Sequence, residues 1–318
     1  MLLTGIEALR FGVLEPQLCA RFFTDFGLTP VDAAGTVFEP LNGARVLLTP
    51  AGTAGLPPGL EPDPTVREVT WGVADAAALA ALRLRLSGVE GLAEDGDGLR
   101  CTDPAGLGLR FVVSTRRSVE LPCARTNTWA ERRRVDAPSP AYERATPVEI
   151  GHVVLFVKDL EASSRFYRER LGFWLSDQYP GRGHFLRCSG HGGHHNLFLL
   201  QTPEGRAGLN HVAFTVRDLH EVIGGGLNMS RRGWETELGP GRHPISSAMF
   251  WYFQSPAGAL VEYYTDEDEL TPAWQPRDFT PGPTVFAEWA IKGGIDGQTR
   301  RQKHAEAPSG RFMTDTQK

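Results

Sequence analysis

No histidine occurs in the first 151 of the 318 residues; all nine lie at His152, His184, His191, His194, His195, His211, His220, His243 and His304. Imidazole-based metal or proton chemistry is therefore expected only in the second half. Cysteine is scarce too: Cys19, Cys101, Cys123 and Cys188 form no C-x-x-C pair, which removes thiolate zinc and dithiol redox motifs. Uninterrupted apolar runs are short, below the roughly 18 residues that a membrane span needs. The opening MLLTGIEALRFG has no basic n-region, and Glu7 breaks its apolar run, so it does not read as a signal peptide. Basic excess is missing as well, with 33 Lys and Arg against 38 Asp and Glu and a net charge of −5. That argues against nucleic-acid and anionic-membrane partners. The one basic run, ERRR (131–134), is followed by Asp136 and Glu143 and reads as a solvated linker cluster. A cytoplasmic protein with reduced thiols is expected.

What is present is a duplication. GIEALRFGVLEPQLCARFFTDFGLTPV (5–31) parallels GHVVLFVKDLEASSRFYRERLGFWLSD (151–177), each an alternating strand followed by an amphipathic helix and a Gly turn. REVTWGVADAAALAAL (67–82) parallels NHVAFTVRDLHEVIGG (210–225), a strand entering a helix through VAD or VRD. TDPAGLGLRFVV (102–113) parallels QSPAGALVEYYT (254–265), a Pro-x-Gly turn opening a last strand. Three correspondences in the same order indicate a repeated module of roughly 120 residues. The expected organisation is a structural domain at 1–118, a linker at 119–147, a metal-binding domain at 148–270 and an extension at 271–318. Within that extension PTVFAEWAIKGG (283–294) is apolar and helical in pattern, suited to cover a site or contact a subunit. The polar end from Gln298 is expected to be disordered.

The repeat also selects ligands. His152 stands in the first strand of the second module, His211 in the opening strand of its second half, and Glu262 in the apolar final strand. Singly, a strand histidine is more often a packed residue, and Glu262 could answer an arginine. Together they form a set of two histidines and a carboxylate on three strands of one sheet, which occupies one face of an octahedral ion and leaves the rest open. Fe(II), or Mn(II), doing oxygen chemistry suits such a face. In the first module the aligned residues are Glu7, Glu68 and Arg110, so the fold signals persist there without the ligands.

These segments resemble the type I extradiol ring-cleaving dioxygenases of the vicinal oxygen chelate superfamily. The resemblance covers roughly residues 1–290. It is most specific in GHVVLFVKDLEASSRFYRERLGF, HHNLFLL, LNHVAFTV and GPGRHPISSAMFWYFQSPAGALVEYYTDEDEL. It implies an α+β fold of tandem βαβββ modules, the vicinal oxygen chelate or glyoxalase-like fold, in two domains that each curve a sheet into a funnel. It implies Fe(II) on His152, His211 and Glu262. It also implies catalytic roles for the second histidine of the HH pair, His195, for the histidine of GRH, His243, and for the tyrosine of FWY, Tyr252. His191 and His194 then read as loop histidines.

The implied reaction inserts both atoms of O2 into a catechol with meta ring cleavage, as in aromatic compound catabolism. A diol that chelates through two adjacent hydroxyls needs the open positions of a three-ligand face. His195 would hydrogen-bond the oxygen and deliver a proton, while His243 and Tyr252 would take the substrate's proton and stabilise its oxyanion. The alternative on the same fold is a metal-dependent glyoxalase- or epimerase-like lyase or isomerase. A homo-oligomer is expected from the resemblance. The diol stays open: Arg182, Arg187 or Arg242 would suit a carboxylated one, the aromatics of 250–264 a bulky one.

Overall fold

The computed structural model describes residues 2–123 and 125–295; His304 and the tail from Gln298 lie outside the described residues. Two sheets carry the chain. The first has eight strands in the order Thr29–Pro30, Val37–Glu39, Arg45–Pro50, Leu3–Val13, Thr65–Val73, Gly108–Val113, Gly98–Thr102, Ala93–Asp95. The second repeats that order with Trp174–Tyr179, Gly183–Arg187, Leu197–Leu200, Glu149–Phe156, Gly208–Thr215, Leu260–Thr265, Met249–Gln254 and Thr236–Arg242. In both, the two central strands run antiparallel and each is flanked by a parallel neighbour. This is the tandem α+β arrangement that the repeat implies.

The three Asp residues that follow the paired strands explain where helices begin. Asp75, Asp159 and Asp218 each accept a hydrogen bond from the backbone N–H three residues on, capping the helices Ala76–Arg85, Leu160–Arg165 and Leu219–Arg231. The first helix, Pro16–Asp25, lacks such a cap and starts with proline in its first turn, where no N–H is needed. The Pro-x-Gly turns close in the same way in both modules. Asp103 and Ser255 accept from Ala105 and Ala257, and Gly106 and Gly258 take φ near +95°, reported as 96° and 94°. A Cβ on Gly258 would lie 2.1 Å from Pro64 O, so only glycine fits there.

The backs of the sheets share one core. Phe26, at the end of the first helix, stacks on Tyr263 of the second sheet at 4.0 Å, and Phe22 meets Trp234 edge-on at 5.0 Å. Reciprocally, Phe173 meets Trp71 of the first sheet at 5.1 Å, and the Tyr167 hydroxyl donates to Asp103 at 3.0 Å. The first helical segment of each module thus packs across the other module. Fully burying each such side chain contributes about 1.5–3 kcal/mol. That stiffness holds the faces of the sheets, where polar side chains gather.

Residues 271–295 do not form a separate appendage. Arg277–Asp278 adds a strand beside Trp174–Tyr179, and Trp289–Lys292 adds one beside Thr236–Arg242, so the extension completes both edges of the second sheet. The helical reading of 283–294 is corrected accordingly: only Pro283–Phe286 is helical. An open strand edge offers backbone partners that outweigh the local pattern in the remainder. The register also adjusts the internal alignment. Ala8 faces Thr70 as His152 faces Ala213, so Ala8 is the register equivalent of His152, with Glu7 one place away next to a bulge. Glu68 and Arg110 hold the places of His211 and Glu262. Among the described residues, no helix is long and apolar enough to cross a membrane.

Candidate metal centre and active site

Three neighbouring strands carry the candidate ligands in one row. Ala213 lies opposite His152 on one side and Glu262 on the other, and His211 stands two residues before Ala213 on the same strand. Side chains two apart share a face, so all three ligands rise on the same side of the sheet around the small side chain of Ala213. His152 Nε2 and His211 Nε2 are 3.2 Å apart, and they lie 3.3 and 3.2 Å from Glu262 Oε2. His152, His211 and Glu262 are only 4 %, 7 % and 1 % exposed.

That triangle is poorly satisfied by itself. Glu262 Oε2 is buried without a hydrogen-bond partner, and so is His152 Nδ1. His211 Nδ1 lies 2.6 Å from the Asn210 side-chain oxygen, an acceptor, so Nδ1 carries the proton and Nε2 turns its lone pair to the centre. One proton can bridge two of the three converging atoms, whereas a cation serves all three. Ligand atoms about 2.1 Å from an ion and at right angles lie about 3.0 Å apart, close to the spacing here. The residues fit a divalent metal. Burial lowers the His152 imidazole to about 4 despite Glu262. Burial alone would raise Glu262, but the surrounding histidines outweigh it and hold the carboxyl well below its usual range. Both groups are thus in the form that a metal binds.

The residues of the first module do something else. Arg110 donates to Asp95 at 2.9 Å and Arg10 faces Glu68 at 3.6 Å, so ion pairs occupy that funnel. Among the described residues, His152, His211 and Glu262 are the one cluster with ligand spacing.

The other sequence-derived residues flank the triangle. The His195 ring lies 4.1 Å from that of His152 and is buried. Burial and the neighbouring rings of His152 and His194 push its imidazole well below the ordinary range, so it is neutral. On the other flank Tyr252 Oη is 3.0 Å from His243 Nε2. His243 Nδ1 donates to Phe286 O at 2.7 Å, which leaves Nε2 to accept from the phenol. Burial and the Glu262 charge keep that phenol protonated. All six residues line one cavity of about 250 Å³, whose mouth is bounded by Pro281, Gly282, Val285 and Phe286 of the C-terminal segment.

Two features escaped the sequence. His194 stands in the loop before Leu197–Leu200, as expected, but it is not solvent-facing: its side chain is 0 % exposed, with Nε2 3.0 Å from Asp177 and Nδ1 3.1 Å from His195. His191 is exposed, as expected. Glu267 also lines the cavity, accepting from the Tyr264 hydroxyl at 3.0 Å and from His194 N at 2.9 Å, and burial raises it to about 7. Tyr264 packs so closely over Gly151 that a Cβ there would lie 1.9 Å from its hydroxyl. The glycine before His152 is the trace of this packing in the sequence. Nothing local marks Asp177 or Glu267.

The model of the Glyoxalase/Bleomycin resistance protein/Dioxygenase superfamily matches residues 149–263, the span of all three candidate ligands. Residues 149–263 are a domain of this superfamily. Among curated superfamily relatives, the chain is 32 % identical over 149 residues to Metapyrocatechase 2 of Cupriavidus necator, covering 46 % of each chain. It is 28 % identical over 187 residues to the 3-methylcatechol 2,3-dioxygenase of Pseudomonas putida, covering 55 % of this chain and 58 % of that one. The chain thus spans about half the length of these relatives. Likeness in fold to a solved structure extends over both modules. The Mn(II)-bound glyoxalase from Novosphingobium aromaticivorans superposes with a TM-score of 0.72 at 23 % identity, covering 97 % of this chain and 96 % of that one.

Proposed function

We propose that the chain is a non-haem Fe(II)-dependent extradiol dioxygenase that inserts both atoms of O2 into a catechol and opens the ring beside the diol. The observation that carries this reading is the division of the cavity. The three-ligand face has a neutral imidazole, His195, on one flank and a linked His243–Tyr252 pair on the other. The likeness to Metapyrocatechase 2 and to the 3-methylcatechol enzyme supports it. A bound metal would acidify the diol and hold it beside O2. The protein's share is proton handling. Tyr252 Oη can take a substrate hydroxyl's proton as it passes its own to His243 Nε2, 3.0 Å away. Neutral His195 suits a base that later returns a proton to the oxygen side. A lyase or isomerase on this fold has no need of that flanking set. The two-histidine carboxylate face accepts Mn(II), also redox-active, as well; Fe(II) is proposed because a two-histidine carboxylate face with open positions is the usual site of non-haem Fe(II) oxygenases.

The walls narrow the substrate. Val154, Phe185, Phe198, Leu200, Ile245 and Phe286 face the cavity. Of the three arginines that would suit a carboxylate, Arg187 is turned to Leu175 O and Ser176, and Arg242 to Glu288. Only Arg182 reaches the wall, and its Nε donates to Gln201 O. An alkyl- or aryl-substituted catechol fits this lining.

The test is oxygen uptake, followed with visible absorbance, after anaerobic Fe(II) loading and addition of a catechol panel. Stoichiometric uptake with a yellow ring-opened product is expected. Apolar-substituted catechols should exceed carboxylated ones by at least about tenfold in kcat/KM, because these walls are mostly apolar and Arg182, the one arginine on them, already donates its Nε to Gln201 O. One tightly bound metal per chain with no uptake for any catechol would reject the proposal in favour of the lyase or isomerase.

A further inference from the structure

Behind His195 runs a buried chain of polar groups outside the cavity. Asp177 and His194 are both 0 % exposed. Asp177 Oδ2 lies 3.0 Å from His194 Nε2, and His194 Nδ1 lies 3.1 Å from His195 Nδ1. Arg277 closes the far end, with Nη2 2.6 Å from Asp177 Oδ2 and its backbone N–H 2.8 Å from Oδ1. The strand pairing that sets Asp177 opposite Arg277 holds this end in register. The His194 backbone is anchored separately through Glu267.

Proton counting gives this chain a direction. An ionised carboxylate only accepts, so His194 Nε2 must carry a proton. Arg277 already neutralises Asp177, which leaves no net charge to hold a second, charged proton on a fully buried His194 ring. His194 is then neutral and its Nδ1 is an acceptor. Two lone pairs cannot face each other at 3.1 Å, so His195 Nδ1 carries the proton that lies between the rings.

We propose that Asp177 and His194 are positioning residues that lock His195 as its Nδ1–H tautomer, with Nε2 left as the bare nitrogen available to the cavity. The catalytic consequence rests on the dioxygenase reading; the tautomer does not. Without the lock either tautomer is open to His195, and the one protonated at Nε2 is no base. Asp177→Asn removes the lock at nearly constant shape. Arg277 donors reach both oxygens, Nη2 the one that faces His194 and the backbone N–H the other, so an amide N–H₂ meets a donor in either orientation and no longer fixes the His194 proton on Nε2. His194 and His195 then lose their single tautomer, and the Nε2–H form of His195 becomes populated.

The experiment is long-range ¹H–¹⁵N spectroscopy of the imidazole-labelled, metal-free protein, with His195→Gln identifying the His195 ring, followed by kinetics of Asp177→Asn. Expected are Nδ1–H alone in the wild type and a mixture with populated Nε2–H in the variant. In the iron-loaded enzyme kcat should fall about 10²-fold or more with KM little changed, the usual scale for loss of a general base. A wild-type His195 protonated at Nε2 would overturn the proposal whether or not the variant folds. So would an Asn variant that keeps both the tautomer and kcat. If the tautomers behave as stated while no catechol is turned over by the wild type, the lock stands and the dioxygenase reading falls.

Discussion

Phe26 ties the two modules together at the strand that carries Glu262, and its truncation has a definite expected cost. Its side chain is completely buried. The ring stacks on Tyr263 at 4.0 Å and 18° and meets Phe214, Phe22 and Phe253 at 5.3, 5.8 and 6.3 Å. Tyr263 also donates its hydroxyl to Phe26 O at 2.6 Å. Phe-to-Ala changes in cores cost about 3–5 kcal/mol, and ring pairs add about 0.5–1.5 kcal/mol beyond area. Four ring partners in a junction that both modules hold rigid place Phe26→Ala near 5 kcal/mol, a third or more of the roughly 5–15 kcal/mol of a typical fold. Tyr263 adjoins Glu262 in the strand, so slack there also loosens the ligand row, and metal affinity should fall about tenfold, the scale of lost support around a ligand. Urea unfolding followed by hydrogen exchange in Leu3–Val13 and Leu260–Thr265 measures the stability loss, and a chelator competition measures the metal affinity. A loss below about 1.5 kcal/mol, or protection lost in one sheet alone, would refute the claim of a shared core.

Glu262→Gln keeps the volume of the ligand but removes its charge. Breaking a buried charge pair costs about 3–5 kcal/mol, so Fe(II) or Mn(II) affinity should fall by at least about 10²-fold in a chelator competition; a loss under fivefold would remove Glu262 from the ligand set. For Glu267 the sign follows from a carboxyl raised to about 7 in the folded chain against an ordinary 4.5. Between those values the folded chain keeps a proton that the unfolded chain releases, so stability falls as pH rises through the window and stays lower above it. The loss is about 3 kcal/mol at most. In metal-free Glu267→Gln the urea midpoint should change less between pH 5 and 8 than in the wild type, and an equal slope in both would show that Glu267 is not the group responsible.

Much of the site was legible because its residues sit in a repeat. His152, His211 and Glu262 fall on corresponding strands, so the second module could be compared with a first that lacks the same residues. His195, His243 and Tyr252 were legible through the family resemblance, and the structure brings all three to the cavity. The loop position of His194 was legible from the glycines before it, but not its burial, which depends on Asp177, 17 residues earlier, and on Glu267, 73 residues later. The C-terminal segment misled for a related reason. Its apolar spacing suits a helix, yet a free strand edge more than 40 residues away captures a third of it.

Periodicity, capping aspartates and Pro-x-Gly turns act over a few residues, and they suffice to specify the units and their duplication from the sequence alone. The three ligand types are likewise written in the chain. What the tertiary structure decided is the distances: an atom triangle near 3.2 Å, an imidazole backed by a second one, and a carboxyl driven to about 7. These depend on register between strands and on exclusion of water, which arise only when remote segments meet. Pattern in sequence carries no measure of either.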